Sequence, residues 1–255
     1  MTTEAPQRIA FTGGRILSMD PRCPHPEVVV VEAGRIAAAD ARDLLDAYPD
    51  ATRFDLDGRA LLPGFIDAHN HLCIAALHPV WADLSRVRGE QELRHALAEQ
   101  ALREPEARWI RGVGWNETTT GLEPRRALLD ELGFDRPVIV AHYSLHQCVV
   151  SSRGLDELGI GRNTPDPPGG SIERDEKGRA TGLLVERAWS AAHASSLADY
   201  TERDRWAELV ARRARALLAD GITCVHDAAC PPSAEDLYFA MARERTLPIS
   251  VQLMV

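Results

Sequence analysis

The feature that most constrains the fold is a short segment in which an apolar run ends at two histidines. Residues 61–72 read LLPGFIDAHNHL. A Pro-Gly pair interrupts the chain, and the apolar run after it predicts a buried strand over residues 65–69 that delivers His69 and His71 at its carboxyl end. Side chains two positions apart on an extended strand point to the same face, so both imidazoles can bind one divalent ion. Barrel enzymes hold their active sites at such strand ends.

A long helix is predicted near the carboxyl end of the sequence. Apolar side chains recur on one face of residues 201–219 at the spacing of an amphipathic helix. Thr201 and Asp204 are expected to form its N-terminal capping box, and Gly221 is expected to end it.

This helix belongs to an alternation of strand and helix patterns. A β-branched run at 222–227, a second helical stretch from 233 to about 244 and an apolar run at 248–255 follow one another. That order predicts a parallel sheet covered by helices. The strands expected to belong to a barrel are 65–69, 222–227 and 248–255.

The rest of the chain divides into a small β module and a long excursion. Residues 1–60 contain short strand patterns separated by turns and predict a small β module. Residues 61–255 then form the barrel portion, with a large excursion at about 75–220 that includes an apolar run at 138–141 and a hairpin through 171–186.

Charge and terminal sequence exclude several classes of protein. The chain has 255 residues, 29 basic and 38 acidic side chains and a formal net charge of −9. Without a basic stripe it is a poor candidate for binding nucleic acid, since phosphate neutralisation supplies most of the non-specific affinity. We see neither a secretion signal nor an 18-residue apolar span, so no membrane partner is expected and we expect a cytoplasmic protein.

Cysteine and lysine usage narrow the chemistry further. The five cysteines are odd in number and include no CxxC pair, which argues against a disulfide framework and against a cysteine-zinc site. We expect them to be reduced and mostly buried. Lys177 is the single lysine and lies in a polar turn.

Several segments together resemble one enzyme family. The 61–72 segment resembles the first barrel strand of the metal-dependent amidohydrolase superfamily, and the others resemble its YtcJ-like branch, the amidohydrolase-3 family. They run in family order over nearly the whole chain, from about residue 9 to the end. The further matching segments are 109–115, 136–140 with His146, 163–170, 181–186 and 221–227.

The resemblance implies an α/β protein, a TIM-type (β/α)8 barrel with a composite β-sandwich built from both chain ends. It also implies hydrolysis of a C–N bond of amide type, but not a peptide bond, in a small-molecule substrate. In such enzymes one or two divalent ions lower the pKa of a bound water and polarise the substrate carbonyl. We expect zinc, although a histidine pair also accepts iron, manganese or nickel.

The same resemblance assigns site residues. His69 and His71 become metal ligands, and Trp115, His146 and Glu186 become substrate-pocket residues. For Trp115 core packing remains an alternative, and for His146 a structural hydrogen-bonded role. Glu186 is alternatively a carboxylate that bridges two metals, or a residue that only forms a salt bridge.

One segment departs from the family pattern. Relatives carry Asp-Gly-His where this chain has Ser144-Leu145-His146, so the neighbours of His146 are altered. His226 and Asp227 end a predicted strand and either contact the site or support it. The histidines without an identified partner, expected at the surface, are His25, His78, His95 and His193.

Important parts of the expected site are missing from these residues. Relatives supply a bridging lysine, two more histidines and a late aspartate that moves the proton, and the turn position of Lys177 does not suit the bridging role. A complete barrel takes about 250 residues, more than remain after the β module. We therefore expect an N-terminal fragment whose general-base aspartate lies beyond Val255.

Other hypotheses remain open at this stage. The chain could be a catalytically incomplete pseudoenzyme, or a subunit that needs a homo-oligomeric or complementing C-terminal partner. An HNH-type nuclease is disfavoured because those residues are dispersed over a ββα unit and the chain is acidic.

Overall fold

Two units of different construction make up the chain. The structure is a computed structural model that describes residues 8–228 and 230–254. Its two compact units are Met1–Ile66 and Asp67–Val255.

Short strands rich in valine and alanine build the first unit. Its strands and one helix are β1 (Arg8–Thr12), β2 (Arg15–Ile16), β3 (Val28–Glu32), β4 (Arg35–Asp40), α1 (Leu44–Ala47), β5 (Thr52–Asp55) and β6 (Ala60–Leu61). The four-stranded sheet has the order β4-β3-β1-β5, and β2 pairs with β6. Ala10, Val28 and Val30 form its core.

The second unit contains the remaining elements, with β7 beginning just before the boundary. They are β7 (Phe65–Asn70), α2 (Leu72–Ala75), β8 (Ala82–Asp83), α3 (Gly89–Arg103), β9 (Ile110–Trp115), α4 (Glu117–Thr120), α5 (Arg126–Glu131), β10 (Val138–His142), β11 (Gln147–Val150), α6 (Ser152–Glu157), β12 (Gly170–Arg174), β13 (Ala180–Glu186), α7 (Arg187–Leu197), α8 (Arg203–Ala219), β14 (Ile222–Ala228), α9 (Pro232–Glu244) and β15 (Ser250–Met254). Short 3-10 turns cover His78–Val80 and Ala198–Tyr200.

A six-stranded mixed sheet accounts for the excursion. Its order is β12-β13-β11-β10-β9-β8. Strands β8, β9 and β10 are parallel, whereas β10, β11, β13 and β12 pair antiparallel. The expected hairpin is confirmed as β12 and β13, with Lys177 exposed in the turn between them.

The strands predicted for a barrel form a separate three-stranded sheet. Its order is β15-β14-β7, and β14 and β15 are parallel. Helices α8 and α9 connect as the sequence pattern predicted. In residues 8–228 and 230–254 the strands do not close into a barrel, so the α/β class is confirmed and the closed barrel is not.

One core joins the two sheets of the second unit. Leu72, Val225 and Ile249 of the three-stranded side belong to the same buried cluster as Trp109, Ile139 and Leu184 of the six-stranded side. A second cluster fills the opposite face of the six-stranded sheet, where Leu97 of α3 and Leu129 of α5 pack on Ile110 and Val140.

Two local expectations were wrong. The strand that carries the histidines is not buried, because Phe65 and Ile66 are 56% and 64% exposed. β7 is an edge strand of its sheet, so its apolar side chains lack the neighbours that a closed barrel supplies. The N-terminal cap of α8 is Glu202, whose carboxylate accepts the backbone N–H groups of Asp204 and Arg205, rather than a Thr201 capping box.

Candidate metal site

The two histidines of the 61–72 segment come together at the end of β7. Their ring centroids are 5.2 Å apart and their planes are perpendicular. His69 is exposed and His71 is half-buried. His71 lies one residue beyond the strand, at the N-terminal end of α2, and its carbonyl accepts the backbone N–H of Ala75 at 2.8 Å.

The ring of His71 is oriented by the neighbouring strand. Its Nδ1 lies 2.9 Å from the carbonyl oxygen of Ala228, the last residue of β14. A histidine that donates one ring N–H to a backbone carbonyl presents its other nitrogen to a metal as a neutral ligand. The contact therefore leaves Nε2 of His71 available as a donor.

Asp67 shapes the backbone before the histidine pair. Its carboxylate accepts the backbone N–H of His69 at 3.2 Å and the side-chain amide of Asn70 at 2.7 Å. The Asn70 hydrogen bond is the main cause that holds the pKa of Asp67 below its ordinary value, and the charges of His69 and His226 lower it further. His226 therefore lies close enough to belong to the electrostatics of this site.

Asp227 supports the same turn from the buried side. Its Oδ2 accepts the backbone N–H of Cys73 at 3.1 Å and the hydroxyl of Tyr238 at 2.6 Å. The indole N–H of Trp206 donates to the carbonyl of Cys73 at 2.8 Å. Strand β14 thus fixes the ring of His71 through Ala228 and the start of α2 through Asp227, which gives Asp227 the supporting role that the sequence left as one option.

The separation of the two imidazole rings fits a shared divalent ion. Two imidazoles that share one tetrahedral zinc at a Zn–N distance of about 2.0–2.1 Å have ring centroids about 5 Å apart, and the observed separation is 5.2 Å. Among the described residues, no third imidazole, thiol or carboxylate joins both histidines in a group of ligand atoms within 4.8 Å. His69 and His71 thus offer part of a coordination sphere.

Two of the predicted pocket residues meet each other rather than the histidine pair. His146 Nδ1 lies 3.2 Å from a carboxylate oxygen of Glu186, and both side chains are more than half exposed. The backbone N–H of Glu186 donates to the carbonyl of His146 at 2.8 Å. Glu186 has a φ of 53°, a strained value of the kind that clusters at functional sites.

Trp115 is a core residue in this structure. Its side chain is 4% exposed and belongs to the cluster beneath α3. The indole N–H donates to the carbonyl of Leu122 at 3.1 Å, and the ring stacks edge-on against His142.

The sequence analysis missed a polar cluster at the end of β10. His142 is 6% exposed, with Nδ1 2.7 Å from the hydroxyl of Ser144 and Nε2 3.1 Å from the carboxylate of Glu117. Its position at the end of a strand pattern was the available signal. Ser144, which stands where relatives carry the aspartate of Asp-Gly-His, is therefore the residue whose hydroxyl is hydrogen-bonded to the buried His142.

A buried arginine was also missed, and it corrects the expectation for one histidine. Arg111 is fully buried, with its guanidinium 4.2 Å from the Trp81 ring centre. It donates to Ser196 and to Nδ1 of His193. His193 was expected at the surface, but it is half-buried. Burial and the Arg111 charge lower the pKa of His193 to about 3. The expectation of exposure is confirmed for His25, His78 and His95.

A cleft of about 850 Å³ lies beside β8, away from the histidine pair. Its lining includes Trp81, Asp83, Tyr143 and Leu145, and neither His69 nor His71 lines it. No helix in residues 8–228 and 230–254 is long and apolar enough to cross a membrane.

Comparison with known proteins decides the family. A sequence model of the amidohydrolase family matches residues 53–254. The chain belongs to the amidohydrolase family. The N-substituted formamide deformylase of Arthrobacter pascens is 34% identical over 252 residues, which cover 96% of this chain and 46% of that protein. The protein YtcJ of Bacillus subtilis (strain 168) is 35% identical over 181 residues, 69% of this chain and 34% of that protein. The expected family is therefore confirmed.

Solved structures show the same fold. A metal-dependent hydrolase from Pyrococcus horikoshii matches with a TM-score of 0.73 at 23% identity, over 98% of this chain and 48% of that one. One from Pyrococcus furiosus matches with a TM-score of 0.70 at 24% identity, over 96% and 49%. This amidohydrolase-family chain spans about half or less of the length of these relatives.

Proposed function

We propose that this chain carries the first metal-binding arm of a hydrolase that cleaves C–N bonds of amide type in small molecules. The observation that carries the proposal is the pair His69 and His71, with ring centroids 5.2 Å apart and with His71 oriented by the Ala228 carbonyl. Family membership supports this reading of the pair.

In this proposal the chain's own residues prepare the site. His69 and His71 hold the ion, with zinc as the expected metal and one or two ions in all. When bound, a divalent ion supplies a coordinated water of lowered pKa and polarises the substrate carbonyl. Asp67 fixes the backbone of His69, and Ala228 fixes the ring of His71. These contacts reduce the freedom that metal binding would otherwise have to remove.

For the substrate we propose an N-substituted formamide or a closely similar N-acyl amine. The support is the Arthrobacter pascens relative, a protein named N-substituted formamide deformylase. Hydrolysis of such a compound adds water across the C–N bond and releases formate and the amine. We assign His146 and Glu186 to the substrate pocket, because the pair is exposed and the Glu186 backbone is strained. Trp115, which is buried, would support that pocket from beneath.

We further propose that β7, β14 and β15 are strands of a TIM-type barrel and that the first unit is part of a composite β-sandwich. The support is the order β15-β14-β7 together with the likeness to the longer Pyrococcus structures. The bridging ligand, the further histidines and the general-base aspartate would come from the part of the relatives that this chain does not match, or from a complementing chain. Its free cysteines suit a reducing, cytoplasmic compartment.

Metal content of the purified chain tests the proposal. A double variant, His69→Ala with His71→Ala, should hold about one ion per chain fewer than the wild type, because both imidazoles donate to the same ion. The matched control is His25→Ala with His95→Ala, which removes two exposed histidines and should leave metal content unchanged. Equal metal content in the wild type and the first double variant would contradict the proposal.

The substrate class has its own test. Formate release from a panel of N-substituted formamides is the expected reaction, and it should depend on His69 and His71. Hydrolysis of N-acetyl amines with formamides left intact would overturn the formamide assignment while leaving C–N hydrolysis in place. A chain that binds metal and hydrolyses neither compound would favour the complementing-subunit reading.

A further inference from the structure

Two cysteines that are far apart in the sequence meet beside the histidine pair. Cys73 lies in α2, and Cys230 follows β14. Their sulfur atoms and a carboxylate oxygen of Asp227 all lie within 4.8 Å of one another. The absence of a CxxC pair excludes only sites built from neighbouring cysteines, whereas this group joins distant segments of the chain.

The cluster is closed off from solvent. Cys73 and Asp227 are 0% exposed, and Cys230 is 7% exposed. Apolar side chains surround them in the shared core, among them Leu72, Val225 and Ala234. A carboxylate in such surroundings is costly unless an opposite charge or a full set of hydrogen bonds compensates it.

The compensation of Asp227 is incomplete. Oδ2 accepts two hydrogen bonds, from Cys73 N–H and the Tyr238 hydroxyl, and the Cys73 thiol is also hydrogen-bonded to this carboxylate. Oδ1 is buried and has no hydrogen-bond partner. Among the described residues, no arginine, lysine or histidine forms an ion pair with this carboxylate within 4.0 Å. An unpartnered oxygen in a fully buried carboxylate points to a bound cation.

The donor set specifies the kind of cation. Thiolate sulfur binds zinc and other soft ions, whereas magnesium and calcium prefer all-oxygen sites. Tetrahedral zinc with Zn–S bonds of about 2.3 Å holds two sulfurs about 3.8 Å apart. Because all three donor atoms lie within 4.8 Å of one another, shifts of about 1 Å or less would bring the two sulfurs to that separation.

We propose that Cys73, Cys230 and Asp227 bind one zinc ion, in a site distinct from the His69 and His71 pair. Two thiolates, one carboxylate and a divalent ion carry a net charge of −1, and the ion gives the unpartnered Oδ1 of Asp227 a ligand contact. Among the described residues no fourth ligand joins the group, so the fourth tetrahedral position is left to one enclosed water molecule. Because Asp227 also accepts the Cys73 N–H, the ion would stiffen the turn that begins α2 directly after His71.

Coordination would replace the proton of each thiol, because a thiol bound to a divalent ion is deprotonated. Metal binding and loss of thiol reactivity should therefore occur together.

The test uses the complete chain in the His69→Ala, His71→Ala background, which separates this site from the proposed catalytic one. Zinc analysis should find about one ion per chain that remains after gel filtration. Cadmium, titrated into the zinc-free protein, should produce the ultraviolet charge-transfer absorption of cadmium thiolate and saturate at about one equivalent. Addition of Cys230→Ser should abolish both signals.

Two further variants make the result specific. Cys224→Ser changes another cysteine, on β14 itself, and should leave cadmium binding intact. Asp227→Asn keeps an oxygen that can accept the Cys73 N–H but removes the charge, so it should weaken cadmium binding by about tenfold or more even if Cys230→Ser fails to fold. Circular dichroism checks the fold of each variant.

Three outcomes would overturn the assignment. Absence of zinc and of the cadmium signal in the folded His69→Ala, His71→Ala protein would exclude the site. Persistence of the signal after Cys230→Ser would place the ion elsewhere. A disulfide between Cys73 and Cys230, seen as a mass loss of two hydrogens that a reductant restores, would make the pair a redox element instead. None of these outcomes bears on metal binding by the histidine pair.

Discussion

The two sheets of the second unit are buried to very different extents. Every residue of β10 in the six-stranded sheet is buried, and the strand is covered on both faces by the two core clusters. In β7 of the three-stranded sheet, no residue is fully buried. In β15, Val251 and Leu253 pack against the core, while Ser250, Gln252 and Met254 are exposed. The three-stranded sheet is therefore covered on one face only.

The location of the candidate chemistry follows this difference. Parallel sheets ordinarily have both faces covered. Here α8 and α9 cover one face of the three-stranded sheet, and the residues that bear on metal binding, Asp67, His69 and His226, belong to strands whose other face is open. The six-stranded sheet is complete by itself. The candidate site thus lies on the sheet that has one open face.

We expect the largest difference in stability between alanine variants of two isoleucines, one in each sheet. Ile139 is 0% exposed and Ile66 is 64% exposed. Ile139→Ala should destabilise the second unit by about 2–5 kcal/mol, because it leaves a cavity in a packed core. Ile66→Ala should change stability by about 0.5 kcal/mol or less. Urea unfolding followed by tryptophan fluorescence measures this, since all five tryptophans lie after residue 80.

The same two variants also test whether the three-stranded sheet is open on one face in solution. If Ile66→Ala lowers the urea midpoint as much as Ile139→Ala, the three-stranded sheet is enclosed in solution, by self-association for example. Sedimentation of the wild type at several concentrations would then show an oligomer.

Two buried tyrosine hydroxyls provide the next comparison. Tyr238 donates to the Asp227 carboxylate at 2.6 Å beside the three-stranded sheet, and Tyr200 donates to the carbonyl of Trp109 at 3.0 Å beside the six-stranded sheet. The Tyr200 hydroxyl also accepts the side-chain amide of Gln100 at 2.8 Å, and that amide keeps the Val80 carbonyl at 3.3 Å as a second acceptor. Tyr238→Phe should cost about 1.5–3 kcal/mol because its acceptor is a buried carboxylate, and Tyr200→Phe about 0.5–1.5 kcal/mol. Equal costs in urea unfolding would show that the Asp227 carboxylate binds the Tyr238 hydroxyl no more strongly than a neutral acceptor would.

The third prediction concerns acid. The pKa of His193 is lowered to about 3 in the folded chain and is about 6.5 in the unfolded chain. Between these values the unfolded chain binds the proton and the folded chain does not, so stability falls as pH falls from about 6.5 toward 3. The loss from this group is at most about 1.4 kcal/mol per pH unit.

His193→Gln tests this, because glutamine keeps an acceptor for Arg111 and does not titrate. Its urea midpoint should depend less on pH between about 4 and 6.5 than that of the wild type. His95→Gln, at an exposed position, is the matched control and should follow the wild type. Parallel pH curves for all three proteins would show that His193 is protonated with little cost in the folded state.

Local sequence patterns predicted the elements of this chain well, because each of those patterns depends on residues that are close together in the sequence. The α8 helix and the β12–β13 hairpin depend on spacing and turn residues within about twenty positions, and both are found. His69 and His71 were found for the same reason, since two residues on one strand need no tertiary information to share a face. The predicted burial of 65–69 failed because apolarity does not specify which neighbours are present to cover a strand.

The parts of the site that sequence reasoning missed depend on contacts between distant segments. Cys73 meets Cys230, and Arg111 meets His193, across 157 and 82 positions. Neither pair has a local pattern. The predicted N-terminal cap of α8 was wrong for a different reason. The carboxylate of Glu202, one residue after the predicted Thr201 cap, accepts N–H groups at the start of the helix.

We expect the smallest change in stability at the end of α9, a helix that covers the three-stranded sheet. Arg245 ends α9 in the left-handed conformation, with a φ of 57°, and is exposed. A side chain at this position is strained, and glycine is the residue that suits it. Arg245→Gly should therefore stabilise the second unit by about 0.5–1 kcal/mol. Arg243→Gly, two residues earlier inside the helix, should instead destabilise it by about 1 kcal/mol. If both variants raise or both lower the urea midpoint, the end of α9 does not contribute through its backbone conformation. If the two urea midpoints move in opposite directions, the backbone conformation at the end of α9 contributes to the stability of the second unit. The helix that covers one face of the three-stranded sheet then unfolds cooperatively with that unit.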